Sequence, residues 1–302
     1  MRPSFRGAKN KDFGGDETAE GAENENDDDF FDAGEEDDDT SWNLRKSSAN
    51  GLDVMSNVFG DELLGMILPI VEQRFRESDW RLRESAILAV GAVSEGCDAG
   101  LTPFLPQLIE FLVPSLDDPR PMLRATACWT LSRFARWTVQ LAFAPRPGDP
   151  LPATAPQGRA FVEKILAGLL TRVGDKNKHV QSAACGALAT LLQETREDIV
   201  TWLQPVATTL GLAVGSYGRK NLRCALDAVA TLADSAGASL KSPAVATALL
   251  SPLLQKWEQG GDTQPDLYQL LECVTSVTMG VGLAAQVRVV FHQIPECLLI
   301  QD

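Results

Sequence analysis

Four stretches of this chain are variations on one pattern: "DWRLRESAILAVGAVSEG" from Asp79, "DPRPMLRATACWTLSRFA" from Asp118, "DKNKHVQSAACGALATLL" from Asp175 and "YGRKNLRCALDAVATLAD" from Tyr217. Each opens on a turn, sets an aliphatic anchor and continues as an amphipathic helix rich in small residues. With Leu82, Leu123, Val180 and Leu222 as equivalents, the spacings are 41, 57 and 42 residues, and Leu44 lies 38 residues before Leu82. A period near 40 filled by two helices is the signature of HEAT or armadillo repeats. In such repeats no single pair buries its own apolar face, so stability comes from stacking neighbours into a superhelix.

The rest of the chain supports that reading. Apolar residues recur at spacings of three and four from Trp42 onward, broken by short Asp, Pro, Gly and Asn clusters. The pattern predicts helices over 42–58, 60–76, 80–96, 104–115, 121–137, 158–173, 177–194, 198–213, 219–236, 243–257, 265–281 and 284–298, and no strands. The long spacing of 57 is explained by an insertion near 141–157, "LAFAPRPGDPLPATAPQ", whose prolines and small residues predict a loop. Residues 41–302 therefore read as an all-α HEAT-repeat solenoid of about six helical pairs. Neither end carries a polar closing repeat, so the array reads as a segment of a longer one.

Charge divides the chain differently. Residues 1–40 carry 15 acidic and 4 basic residues, a net of −11, and the other 262 residues carry only −3. So charged a segment, with few aliphatics, cannot bury enough surface to offset the entropy of ordering, and a disordered acidic segment is expected. No basic run offers the clustered cations that displace counterions from a nucleic-acid backbone, so basic protein partners are expected instead. No apolar run approaches the roughly 18 residues of a membrane span and no signal-peptide core is present, which predicts a soluble, intracellular protein. The six cysteines at 97, 128, 185, 224, 273 and 297 form no CxxC pair and read as reduced, buried residues.

Catalytic chemistry finds no support. The two histidines, His179 and His292, belong to no HExxH, and there is no GxSxG, Walker loop or zinc-spaced Cys/His set. No catalytic residue, metal or cofactor is expected. A binding scaffold fits better, and in solenoids of this kind the second helix of each pair usually lines the concave side where extended ligands lie. On the helix at 121–137, helical spacing places Thr126, Trp129 and Arg133 on one face and Ala127, Leu131 and Phe134 on a core face. Equivalent stripes hold Glu84, Leu88 and Glu95, then Ala183, Gly186 and Thr190 ending in Gln193 and Glu194, then Asp227, Thr231 and Asp234. The stripe passes from aromatic to acidic. It suits an extended peptide with a proline or aromatic at one end and an arginine at the other.

The ordered segments "DWRLRESAILAVGAVSEGC", "LRATACWTLSRFARW", "KHVQSAACGALATL", "RKNLRCALDAVATLADSAG", "LLSPLLQKW" and "DLYQLLECVTSV", preceded by an acidic stretch running into "WNLRKSSANGLDV", closely resemble the transportins, importin-β-type nuclear import receptors. The resemblance covers nearly the whole chain and corresponds to the receptor's central repeats. It implies binding of cargo proteins through basic proline-tyrosine nuclear localisation signals, with release by Ran bound to GTP, nucleoporin partners in the full-length receptor, and shuttling between cytoplasm and nucleus. It further implies that Trp129, with Leu88, Thr126 and Arg133, meets the Pro-Tyr end, and that Ala183, Thr190, Gln193, Asp227 and Asp234 line the path of the signal's Arg. The acidic segment would match the family's loop that couples Ran binding to cargo release. Gln193 stands where the family carries a glutamate and Thr126 where it carries an isoleucine. The alternative is a HEAT-repeat scaffold or regulatory subunit of a multiprotein complex, which would hold folded partners on its ridges and loops.

Overall fold

A computed structural model describes residues 44–145, 149–260 and 266–282. The acidic segment 1–40, the expected helix 284–298, His292 and Cys297 lie outside the described residues. Among the described residues twelve helices longer than two turns follow one another: α1 Leu44–Phe59, α2 Leu64–Phe75, α3 Trp80–Ala92, α4 Leu105–Ser115, α5 Pro121–Arg133, α6 Ala135–Ala142, α7 Ala155–Val173, α8 Lys178–Thr195, α9 Leu203–Ser216, α10 Arg219–Ala236, α11 Pro243–Gly260 and α12 Leu267–Val281. No strand occurs among the described residues. The chain is an all-α HEAT-type solenoid.

Local chemistry sets the helix starts. The Asp79 carboxylate accepts from the Arg81 amide at 2.9 Å ahead of α3, Asn177 caps the His179 and Val180 amides of α8 at 2.9 and 3.3 Å, and Pro121 occupies the first position of α5. Pairs α2/α3, α4/α5, α7/α8, α9/α10 and α11/α12 then stack in two layers. The second helices form a continuous row in which α3 packs on α5, α5 on α8, α8 on α10 and α10 on α12, while α4, α7, α9 and α11 make the other layer. The core between the layers includes Ile87, Ile109, Leu131, Ile165, Leu188, Val229 and Leu253, all essentially inaccessible to water.

The repeat register reappears as a ladder of ion pairs. The residue after each anchor reaches the turn of the next pair: Arg83 to Asp118 at 3.2 Å, Arg124 to Asp175 at 2.8 and 2.9 Å, and Arg223 to Asp266 at 2.9 Å. The α8 equivalent is Gln181. It donates to the Asp175 carbonyl at 2.7 Å and accepts from Asn221 at 2.8 Å, so a neutral rung joins that pair to the next.

Three sequence expectations change. The helix predicted over 121–137 breaks at Phe134, whose side chain is fully buried and whose backbone (φ −95°, ψ 0°) ends α5 and starts α6. The insertion is shorter than expected, because α7 begins at Ala155 and passes so close to α6 that a side chain on Gly158 would lie 2.4 Å from the Leu141 backbone. Finally, Leu44–Phe75 and Lys178–Ser216 are long and apolar enough to cross a membrane by length and composition, contrary to the expectation of no such run. Each passes through a 3-10 segment, Gly60–Leu63 or Arg196–Trp202, and α8 and α9 belong to different pairs of the stack.

Candidate functional site

Trp129 is held by the absence of a side chain across from it. A Cβ on Gly91 of α3 would sit 2.5 Å from Trp129 Cζ3 and 2.8 Å from Thr130 Oγ1, so the indole lies directly against the α3 backbone. The residue keeps 37% of its surface open, the only tryptophan among the described residues with that much exposure. Arg133, one turn on, places its guanidinium 5.9 Å from the indole centroid. That guanidinium is already paired: to Glu95 at 3.1 Å and Asp53 at 3.8 Å, with Nε donating to Ser94 Oγ at 3.3 Å.

Across from Trp129 stands α8, whose small residues Ala183, Gly186 and Ala187 leave room. Between them opens a cleft of about 630 Å³, lined by Ser94, Glu95, Asp98, Trp129, Ser132, Arg133, Arg136, Trp137, Ala183, Gly186, Ala187, Thr190 and Glu194. It joins aromatic walls, a floor of small residues and charges of both signs, the make-up of a peptide site. A second depression of about 450 Å³, lined by Pro69, Glu72, Gln73, Arg76 and Glu77, has no aromatic wall.

The cleft gathers Trp129, Arg133, Ala183 and Thr190 of the nine residues read from sequence. Leu88 is half-buried on α3, and Gln193, Asp227 and Asp234 are exposed on α8 and α10 outside the cleft lining. Thr126 departs from expectation: it keeps only 4% of its surface, donates to Glu84 Oε1 at 2.7 Å and accepts from Arg45 at 2.9 Å. Glu84, expected on the open stripe, is buried too and pairs with the Arg45 guanidinium. Helical spacing places Thr126 and Glu84 at the correct angle, but Arg45 of α1 covers them. Arg136 and Trp137 were missed because an unbroken helix gives them other directions. The signal was Phe134, a bulky residue whose burial bends the chain.

Among the described residues no group of three His, Cys, Asp or Glu side chains could hold a metal ion. The thiols of Cys128, Cys185 and Cys273 are pushed up to about 12 by burial, leaving them protonated near neutrality.

Several known proteins are similar to this chain. A HEAT-like repeat model matches residues 80–134, from α3 through Trp129 to Phe134. Transportin-1 of Oryza sativa subsp. japonica is 45% identical over 256 residues, 82% of this chain and 28% of its own length. The chain belongs to the transportin family. Human Transportin-1 is 42% identical over 79% of this chain and 25% of its own length, and importin subunit beta-2 of Schizosaccharomyces pombe 39% over 80% and 25%. This transportin-family chain thus spans about a quarter of the length of these relatives. Its fold matches the crystal structure of Kap121p with a TM-score of 0.70 at 21% identity, covering 88% of this chain and 25% of that one, and Kap121p bound to RanGTP with a TM-score of 0.64 at 22% identity, again covering 88% and 25%.

Proposed function

We propose that this chain is the cargo-binding segment of a nuclear import receptor and that it captures an extended basic signal ending in Pro-Tyr on the row of second helices. The observation that carries the reading is the indole of Trp129, fixed on the Gly91 backbone and open toward a cleft floored by small residues. A proline or tyrosine ring packs on that face, which suits aromatic and apolar rings alike. Leu88 extends the apolar wall. From the cleft, exposed acids continue along the row through Asp227 and Asp234 on α10, where an upstream arginine of the signal finds carboxylates. Gln193 borders that path with an amide. Thr126 supports the wall from beneath and does not touch the ligand.

In the whole receptor, Ran and nucleoporins are the further partners, and the protein shuttles between cytoplasm and nucleus. Transportin-named relatives, and Kap121p structures bound to RanGTP and to Nup53p, support this part. The test is calorimetric titration of the chain with a basic peptide ending in Pro-Tyr, repeated with Trp129→Ala. The expected result is binding that weakens at least about ten-fold in the variant, a change of about 1.4 kcal/mol. A folded chain that binds no such peptide, or binds it equally well without Trp129, refutes the reading and favours a scaffold that holds folded partners.

A further inference from the structure

The two arginines of the cleft differ in what their charge already meets. Arg133 is neutralised by Glu95 and Asp53 and hydrogen-bonded to Ser94. Arg136 is exposed and lines the same cleft, and none of its hydrogen-bonding groups meets a partner among the described residues. Beside it Trp137 packs on the buried Phe134 ring at 5.2 Å, so the break between α5 and α6 fixes an aromatic surface next to an uncompensated cation. Among the described residues Asp98 and Glu194 line the same cleft with side chains in no ion pair; Glu194 lies on α8, and the exposed carboxylates of Asp227 and Asp234 continue on α10.

A ligand that covers these groups strips water from them. A covered guanidinium without an anion, or a covered carboxylate without a cation, costs more than the contact returns. The cleft therefore favours a ligand of both signs: cationic beside Glu194 and toward Asp227 and Asp234 on α10, anionic beside Arg136 on α6. We propose that the Arg136–Trp137 end of the cleft binds a carboxylate that directly follows the ligand's aromatic residue, so that the preferred signals are those whose aromatic residue ends the chain. The proposal rests on the cargo reading above and adds to it a direction and a substrate class. The guanidinium offers a two-toothed donor pair that a terminal carboxylate matches in shape and charge.

The experiment uses the full chain and three peptides that share one basic segment: one ending in Pro-Tyr with a free carboxylate, one ending in Pro-Tyr amide, and one amidated after Pro-Tyr-Asp. Each is titrated against the wild type, Arg136→Gln and Trp129→Ala. The expected preference for the free carboxylate over the amide is about five-fold in the wild type, the scale of one partly exposed charge pair. That ratio falls to one in Arg136→Gln and shrinks with added salt. Recovery of affinity by the Asp peptide assigns the site to any carboxylate at that position; no recovery assigns it to the chain terminus. Equal binding of acid and amide by the wild type, or a preference that survives Arg136→Gln, overturns the proposal. Equal binding of both peptides that is lost in Trp129→Ala overturns it alone and leaves the cargo reading standing, whereas binding of neither overturns both.

Discussion

Gly91→Ala should cost little stability and much affinity, because of what surrounds the new methyl group. Its carbon would lie 2.5 Å from Trp129 Cζ3 and 2.8 Å from Thr130 Oγ1, both inside contact distance. Thr130 cannot yield: it is fully buried and donates to the Ile87 carbonyl at 3.1 Å. Trp129 can, since 37% of its surface is open and its ring can swing outward. Inserting a methyl into a packed contact costs about 1–3 kcal/mol, and replacing Gly by Ala inside a helix returns about 1 kcal/mol. The net loss of stability is thus about 1 kcal/mol, read as a small drop in the urea midpoint. The displaced indole no longer presents its face to the ligand, and an aromatic packing contact is worth about 0.5–1.5 kcal/mol beyond buried area. Binding of the Pro-Tyr peptide should weaken up to about ten-fold by calorimetry, with an altered near-ultraviolet circular dichroism spectrum. In a Trp129→Ala background, Gly91→Ala should add no further loss of affinity. Unchanged affinity in Gly91→Ala, or a loss that persists without Trp129, would refute the argument that Gly91 acts by seating the indole.

Thr126→Val removes the hydroxyl that donates to Glu84 and should cost about 1–2 kcal/mol in urea denaturation, while peptide affinity stays at the wild-type value; a loss as large as that of Trp129→Ala would return Thr126 to the binding face. Asp175 is affected first by burial, which raises its pKa, but the hydrogen bonds and charge of Arg124, with the Asn177 amide and the Arg172 charge, outweigh this and hold it below the usual carboxylate range. A carboxylate with a lowered folded pKa stabilises the fold above its unfolded value of about 4 and loses that contribution as pH falls through the folded value. The urea midpoint should therefore drop on acidification below about pH 4 less steeply in Asp175→Asn than in the wild type. At neutral pH, Asp175→Asn should cost about 3 kcal/mol by leaving Arg124 without a counter-ion and Arg172 with Asp117 alone; a wild-type midpoint at pH 7 would show that the rung adds nothing.

The sequence by itself determined the repeat, its register and the inward face of α5. The spacings of Leu82, Leu123, Val180 and Leu222 carry over to the Arg83, Arg124, Gln181 and Arg223 rungs, and Ala127, Leu131 and Phe134 lie in the core as their helical spacing requires. The neighbourhood of Trp129 and Arg133 was legible for the same reason: residues four apart on one helix are neighbours in any fold that keeps the helix. Tertiary structure decided what those faces meet. Helical spacing gives a side chain its direction but not its cover, so the burial of Thr126 and Glu84 under Arg45 depended on α1, which lies 81 and 39 residues away in the chain. The seat of the indole depended on a bare position of another helix, Gly91, and the Arg136–Trp137 end of the cleft on a bend that appears only when Phe134 packs inward. Local periodicity is set by bonds between near neighbours, whereas burial, charge pairing and the opening of a cleft are properties of surfaces brought together by packing.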